Sequence, residues 1–77
     1  MTDYAFPADL VQAQSAWYAA YQQLAAEESP ARTTVLRRRL QRLSVEIATH
    51  PYWADIPGHA PAARMALKEM AWEARRP

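Results

Sequence analysis

His50, Asp55 and His59 come nearest in this chain to a metal-binding set. Imidazole nitrogens and carboxylate oxygens are ordinary zinc donors. Three donors on a proline-broken stretch, without the His-x-x-x-His spacing of a helical site, make a poor cage. Both histidines therefore read as structural or surface residues, and no metal or other cofactor is expected. His50 also falls at the end of a helical pattern, where a cation suits the helix dipole.

A second chemistry is offered by Arg37, Arg38, Arg39 and Arg42. Arg38, Arg39 and Arg42 share one flank of a helix with Glu46, and Arg37 projects from the other. Such a helix could neutralise phosphates and hold nucleic acid by counterion release. A charge run is more often a solvated face, and the net charge is only +1, well short of the strongly basic balance of a nucleic-acid binder. Nucleic-acid binding through Arg37–Arg42 is the alternative function, not the leading one. Catalysis has less support still. Ser15, Ser29 and Ser44 have no local base, the chain has a single glycine and so no glycine-rich phosphate loop, and the acids are scattered along helix ends and solvent faces. The expectation is a protein that is not an enzyme.

The elements that must position these residues are bounded first by size. Seventy-seven residues make one domain, 1–77. A chain this short buries only about 60–65% of its unfolded surface. Small domains are commonly reinforced by disulfides, metals or partner chains. With no cysteine and two histidines, oligomerisation is the available aid. Eight of the nine basic residues are arginine and alanine is the commonest residue, the bias of a GC-rich genome. Met1-Thr2-Asp3-Tyr4 has neither the cationic start nor the apolar run of a signal peptide. No stretch approaches the ~20 apolar residues that span a bilayer. No membrane association is expected, and the expected location is the cytoplasm.

Proline then divides the chain. Pro7, Pro30 and Pro61 stand just ahead of helical patterns and Pro51 just behind one; proline suits the first turn of a helix and breaks its interior. Three helices follow, at about 8–27, 30–49 and 61–75, with an aromatic connector at 50–60. The link at Glu27-Glu28-Ser29 is too short for anything but an antiparallel hairpin. The fold class is all-α: a helical hairpin with a third helix packed across it, a three-helix bundle.

In the first helix Leu10, Trp17, Tyr21 and Leu24 lie on one face, with Gln14 inside the stripe as a buried amide. From Leu10 to Ala26 there is no charged residue, although surface helices usually carry charge opposite their apolar stripe. Either the back, which includes Ala16, Ala19 and Gln23, is simply solvated, or it packs against another chain, with Ala19 a contact. In the second helix Leu36, Leu40, Leu43 and Ile47 form a heptad-like seam, and Val45 sits nearly opposite. Tyr52, Trp53 and Ile56 are too apolar for an open loop and should fold back over the hairpin's open end. In the third helix Ala63, Leu67, Met70, Ala71 and Ala74 define the core face. Met65 and Trp72 stack on the other side, to be covered by the connector or by a partner. Trp is a frequent interface anchor and Met an adaptable one.

Several phrases carry a resemblance: Phe6-Pro7-Ala8-Asp9-Leu10 leading to Ala13-Gln14, then Leu36-Arg37-Arg38-Arg39-Leu40, His50-Pro51-Tyr52-Trp53, and Ala63-Arg64. Together they resemble a class of short uncharacterised helical proteins of actinobacteria, especially Streptomyces-type organisms. The resemblance implies a bacterial, intracellular origin and no activity or site residue. The function expected from the residues is protein–protein interaction, by self-association (a homodimer, for example) or as an accessory subunit or regulator. Met65, Trp72, Tyr52, Trp53 and Ala19 are the candidate contacts.

Overall fold

The structure, a computed structural model, describes residues 5–56 and 60–75. Among them are α1 (Ala8–Ala26), α2 (Pro30–Ala48), a 3₁₀ turn (Pro51–Asp55) and α3 (Ala60–Arg75), with no strand. Each α-helix boundary lies within one residue of its expected place. Pro57, Gly58 and His59 of the connector lie outside the described residues. No helix among the described residues is long and apolar enough to cross a membrane.

The prolines act as their chemistry requires. The Pro7 carbonyl accepts the Leu10 and Val11 N–H groups, each at 3.1 Å, and so starts α1 without a side-chain cap. Ser29 occupies the N-cap of α2 with Pro30 at N1, but its hydroxyl does not cap. Glu27 organises the link instead: one carboxylate oxygen accepts the Ser29 N–H at 3.1 Å and the other pairs with Arg32 at 3.0 Å. This places an acid ahead of α2, where the dipole favours it. Pro51 ends α2 and opens the 3₁₀ turn, which is more regular than the loop expected at 50–56.

Pairings along the chain set the topology. Trp17 Nε1 donates to Ser44 Oγ at 2.9 Å, and Asp9 meets His50; residue numbers rise on one helix as they fall on the other, so α1 and α2 are antiparallel. The Tyr18 hydroxyl donates to the Lys68 carbonyl at 3.4 Å, and Arg75 donates to Gln22 Oε1 at 3.1 Å; α3 therefore runs parallel to α1. Both α2 and α3 pack on α1 and make no comparable contact with each other. The bundle is open on one side, and α1 is its central element.

That centrality explains the charge-free helix. Leu10, Gln14 and Ala20 of α1 are buried, while Ser15, Ala16 and Ala19 are half-buried. A helix flanked on two sides has little free face for charge, and its small residues let neighbours approach. Its back is not wholly solvated, because α2 and α3 of the same chain border it. Gln12, Gln22, Gln23 and Ala26 face water.

The main core cluster is Leu10, Trp53, Ala63 and Leu67, with Phe6, Val11, Ile47, Tyr52 and Ile56 packed against it. The connector thus folds back as its composition demanded. On α2, Leu36 is buried, Leu40, Leu43 and Ile47 are half-buried, and Val45 is exposed. Two expectations of burial are corrected. Tyr21 lies on the apolar stripe of α1 yet is 53% exposed, since neither α2 nor α3 closes over that part of the open side. On α3 the buried stripe is only Ala63, Leu67 and Ala71; Met70 and Ala74 are exposed because α3 packs on one neighbour, not two.

Candidate interaction site

The open side of the bundle is where side chains capable of recognition collect. Its floor is α1 and its walls are α2 and α3. A cleft of 170 Å³ there is lined by Gln14 and Trp17 from the floor, Ser44, Ile47 and Ala48 from α2, and Arg64 and Lys68 from α3. Arg64 and Lys68 also border a larger open cleft of 450 Å³ beside Pro61 and Met65. Gln14 is 3% exposed, so the buried amide expected inside the α1 stripe is present and stands at the cleft.

A row of aromatic rings crosses from α1 to α3. Tyr21 stacks on Trp17 with centroids 5.4 Å apart and planes 7° apart; Trp17 meets Tyr18 edge-on at 5.5 Å; Tyr18 meets Trp72 at 5.3 Å. Stacked and edge-to-face pairs of this kind contribute about 0.5–1.5 kcal/mol beyond their area. Trp72 remains 43% exposed and Met65 60% exposed. Among the described residues the ring partner of Trp72 is Tyr18 of α1, whereas the rings of the connector pair with each other and with Phe6.

The five candidate contacts therefore separate. Met65 and Trp72 lie open on α3. Tyr52 is half-buried between Phe6 and Trp53. Ala19 is half-buried on α1. Trp53 is corrected outright: at 8% exposure it belongs to the core and offers no contact surface. Its indole N–H donates to the Ile47 carbonyl, and the Arg64 guanidinium lies 5.2 Å from its ring centroid, closing it from outside. Half-buried Tyr18 and exposed Tyr21 complete the row and were not among the candidate contacts. Their spacing from Trp17 was visible, but a 3.6-residue period says which side turns inward and not whether a neighbour arrives to cover it.

The polar candidates end elsewhere. Arg37, Arg38, Arg39 and Arg42 are all exposed on α2. Of the proposed metal set, His59 lies outside the described residues, and no group of three potential ligands forms among the described ones. His50 has an architectural task. Its Nδ1 accepts the Tyr52 N–H at 3.1 Å, and its Nε2 lies 3.1 Å from Asp9 Oδ2. With Nδ1 accepting, the ring proton sits on Nε2 and points at the carboxylate, so one imidazole ties α1 to the 3₁₀ turn.

The hydrogen bond from His50 holds the Asp9 carboxyl below the usual aspartate range against the desolvation that raises it, with a lesser contribution from the Leu10 N–H. A carboxyl lowered by folding stabilises the native state above its unfolded value, about 3.9, and the contribution disappears as pH falls through the folded value. Asp9→Asn should therefore flatten the acid limb of the stability–pH curve below about pH 4. Urea unfolding across that range checks it; an unchanged limb rejects the coupling.

No curated protein and no solved structure matches the chain. A family model described as a domain of unknown function, DUF8825, matches residues 9–70, from the first turn of α1 through the 3₁₀ turn and well into α3, and the chain belongs to that family.

Proposed function

We propose that this chain is a small, non-enzymatic protein–protein interaction module of a bacterial cytoplasm, acting by self-association or as an accessory subunit or regulator of a larger protein. The observation that carries the proposal is the surface row ending in Trp72, flanked by Met65 and Tyr21, beside a thin core. Among the described residues the buried apolar set is three leucines, three alanines and Trp53. Hiding the open part of Trp72 alone would remove roughly 100 Å² from water, worth about 2.5 kcal/mol at 25 cal/mol per Å². Exposed aromatic and methionine side chains of this kind are the usual anchors of interfaces.

The test is mass in solution over a dilution series, with co-purification of any bound partner, for the native chain, Trp72→Glu and Ala19→Glu. Loss of a central anchor costs at least about 2 kcal/mol of association, roughly 30-fold. Trp72→Glu should therefore abolish assembly or capture. A strict monomer that holds no Trp72-dependent partner overturns the proposal.

A second reading has one observation of its own. The arginines of α2 are exposed, and the ion pairs among the described residues, Arg32–Glu27 and His50–Asp9, leave Arg37, Arg38, Arg39 and Arg42 outside them. If they hold nucleic acid, affinity will fall steeply with salt, and replacing Arg38, Arg39 and Arg42 by Gln will flatten that slope by about three phosphate contacts. Absence of DNA and RNA binding at low salt removes this reading.

A further inference from the structure

The gap between α2 and α3 is filled by the chain itself at one end only. There the 3₁₀ turn sets Trp53 on the core with Leu10, and Arg64 lies over the indole. Further along, at Trp17, the cleft between the two helices stays open. Its α3 wall carries Arg64 and Lys68, and no acid lines it among the described residues. Arg37 stands seven residues, two helical turns, before Ser44 on the same face of α2 and is exposed. The acids Asp9 and Glu46 line a different cleft, with His50. The groove is thus apolar at Trp17, Ile47 and Ala48 and cationic along its α3 wall, with Arg37 beyond its α2 side.

A helical wall on each side of a helical floor suits a further helix laid in the groove by its apolar face. Single-stranded nucleic acid would need a free ring to stack on. Trp17 instead has Tyr21 on its plane, Tyr18 against it and its N–H held by Ser44. We propose that the open groove between α2 and α3 receives an amphipathic helix of a partner protein, its apolar face seated at Trp17 and its flanking aspartates or glutamates paired with Arg64 and Lys68. This rests on the interaction-module proposal and names the chemistry of the partner.

The full chain, immobilised, is used to select from a phage-displayed library of randomised helical peptides. Enriched sequences should carry apolar residues at i, i+3 or i+4, and i+7, with Asp or Glu beside them. A synthetic copy of the strongest should shift the NMR signals of Trp17 and Lys68, and its affinity should fall with salt. Lys68→Glu should weaken it about tenfold, and a peptide in which only the acid facing Lys68 is changed to Lys should recover the loss. The Lys68 side chain makes no contact that the fold needs, so this variant stays folded where Arg64→Glu would also disturb Trp53. Failure to enrich any peptide, enrichment of neutral or basic ones, indifference to Lys68→Glu, oligothymidine binding at these residues in place of peptide, or occupation of the groove by a second copy each overturns the proposal. If selection fails while Trp72-dependent association persists, the interaction module stands and only the acidic helix is lost; if both fail, both are wrong.

Discussion

Trp53→Ala should bring this protein close to unfolding at room temperature. Replacing a buried Trp by Ala costs about 3–5 kcal/mol, the sum of lost transfer energy and the cavity left behind. A domain of this length has about 4–12 kcal/mol in total, at 0.05–0.15 kcal/mol per residue. Few residues here bear so much. Trp53 joins Leu10 of α1, Ala63 and Leu67 of α3, and the Ile47 carbonyl at the end of α2. It is the side chain through which the 3₁₀ turn joins all three helices at one end of the open bundle. Trp53→Phe separates its two contributions. Phenylalanine keeps much of the apolar contact and loses the indole N–H. The Ile47 carbonyl would still accept the His50 N–H, at 3.4 Å, so it is not orphaned. The added cost should stay near the ordinary net value of a hydrogen bond, about 0.5–1.5 kcal/mol. Urea unfolding followed by circular dichroism measures both variants. A loss below about 1 kcal/mol for Trp53→Ala would show that the turn is only draped over the core.

That such a residue lies in a connector was legible from composition. Tyr52, Trp53 and Ile56 cannot stay in water between two prolines without penalty, and the hairpin's open end is the nearest apolar surface. The helix bounds were legible for a similar reason: Pro7, Pro30 and Pro51 allow few other divisions, and the Leu36–Ile47 seam fits only a helical period. What could not be read was which helix lies at the centre. Periodicity assigns each helix an inward face but does not say how many neighbours it will meet. The signal was present in α1 as seventeen residues without charge, Leu10 to Ala26, and it pointed to covering by something; that the cover is α3 of the same chain depends on pairings 50 or more residues apart, such as Tyr18–Lys68 and Gln22–Arg75. Met70 misled for the opposite reason. It lies near the Ala63–Leu67 face, but a helix with one neighbour buries a narrow stripe, and Met70 falls outside it. Asp9–His50, 41 residues apart, is likewise beyond local reasoning, since a helix-terminal histidine already has an electrostatic explanation. The candidate site was half legible. Met65 and Trp72 were visible as surplus apolar groups, whereas the groove appears only once α2 and α3 are seen to stand apart.

The narrowness of that stripe leads to the second large effect. Ala63 and Ala71 are 0% exposed on either side of Leu67, so the fully buried stripe of α3 is two methyl groups and one leucine. Alanine at these positions lets the helix backbones approach, and a larger side chain there would have to be fitted into a fully buried site. Ala63→Leu and Ala71→Leu should each cost about 1–3 kcal/mol by overpacking. Combined, they should release α3, because α3 has no comparable packing on α2 to fall back on. The expected signature is local. Amides of α3 should exchange rapidly with solvent while those of α1 and α2 keep part of their protection, as separately stable units do. Ala62→Leu is the control: Ala62 is exposed on the same helix, leucine is nearly as good a helix former as alanine, and the change should lie within about 0.5 kcal/mol of neutral. Hydrogen exchange read by NMR distinguishes the cases. If the double variant loses protection uniformly, α3 is integral to a single cooperative unit. If it loses none, α3 is not held by this stripe, and the groove whose wall it forms would have to be redrawn.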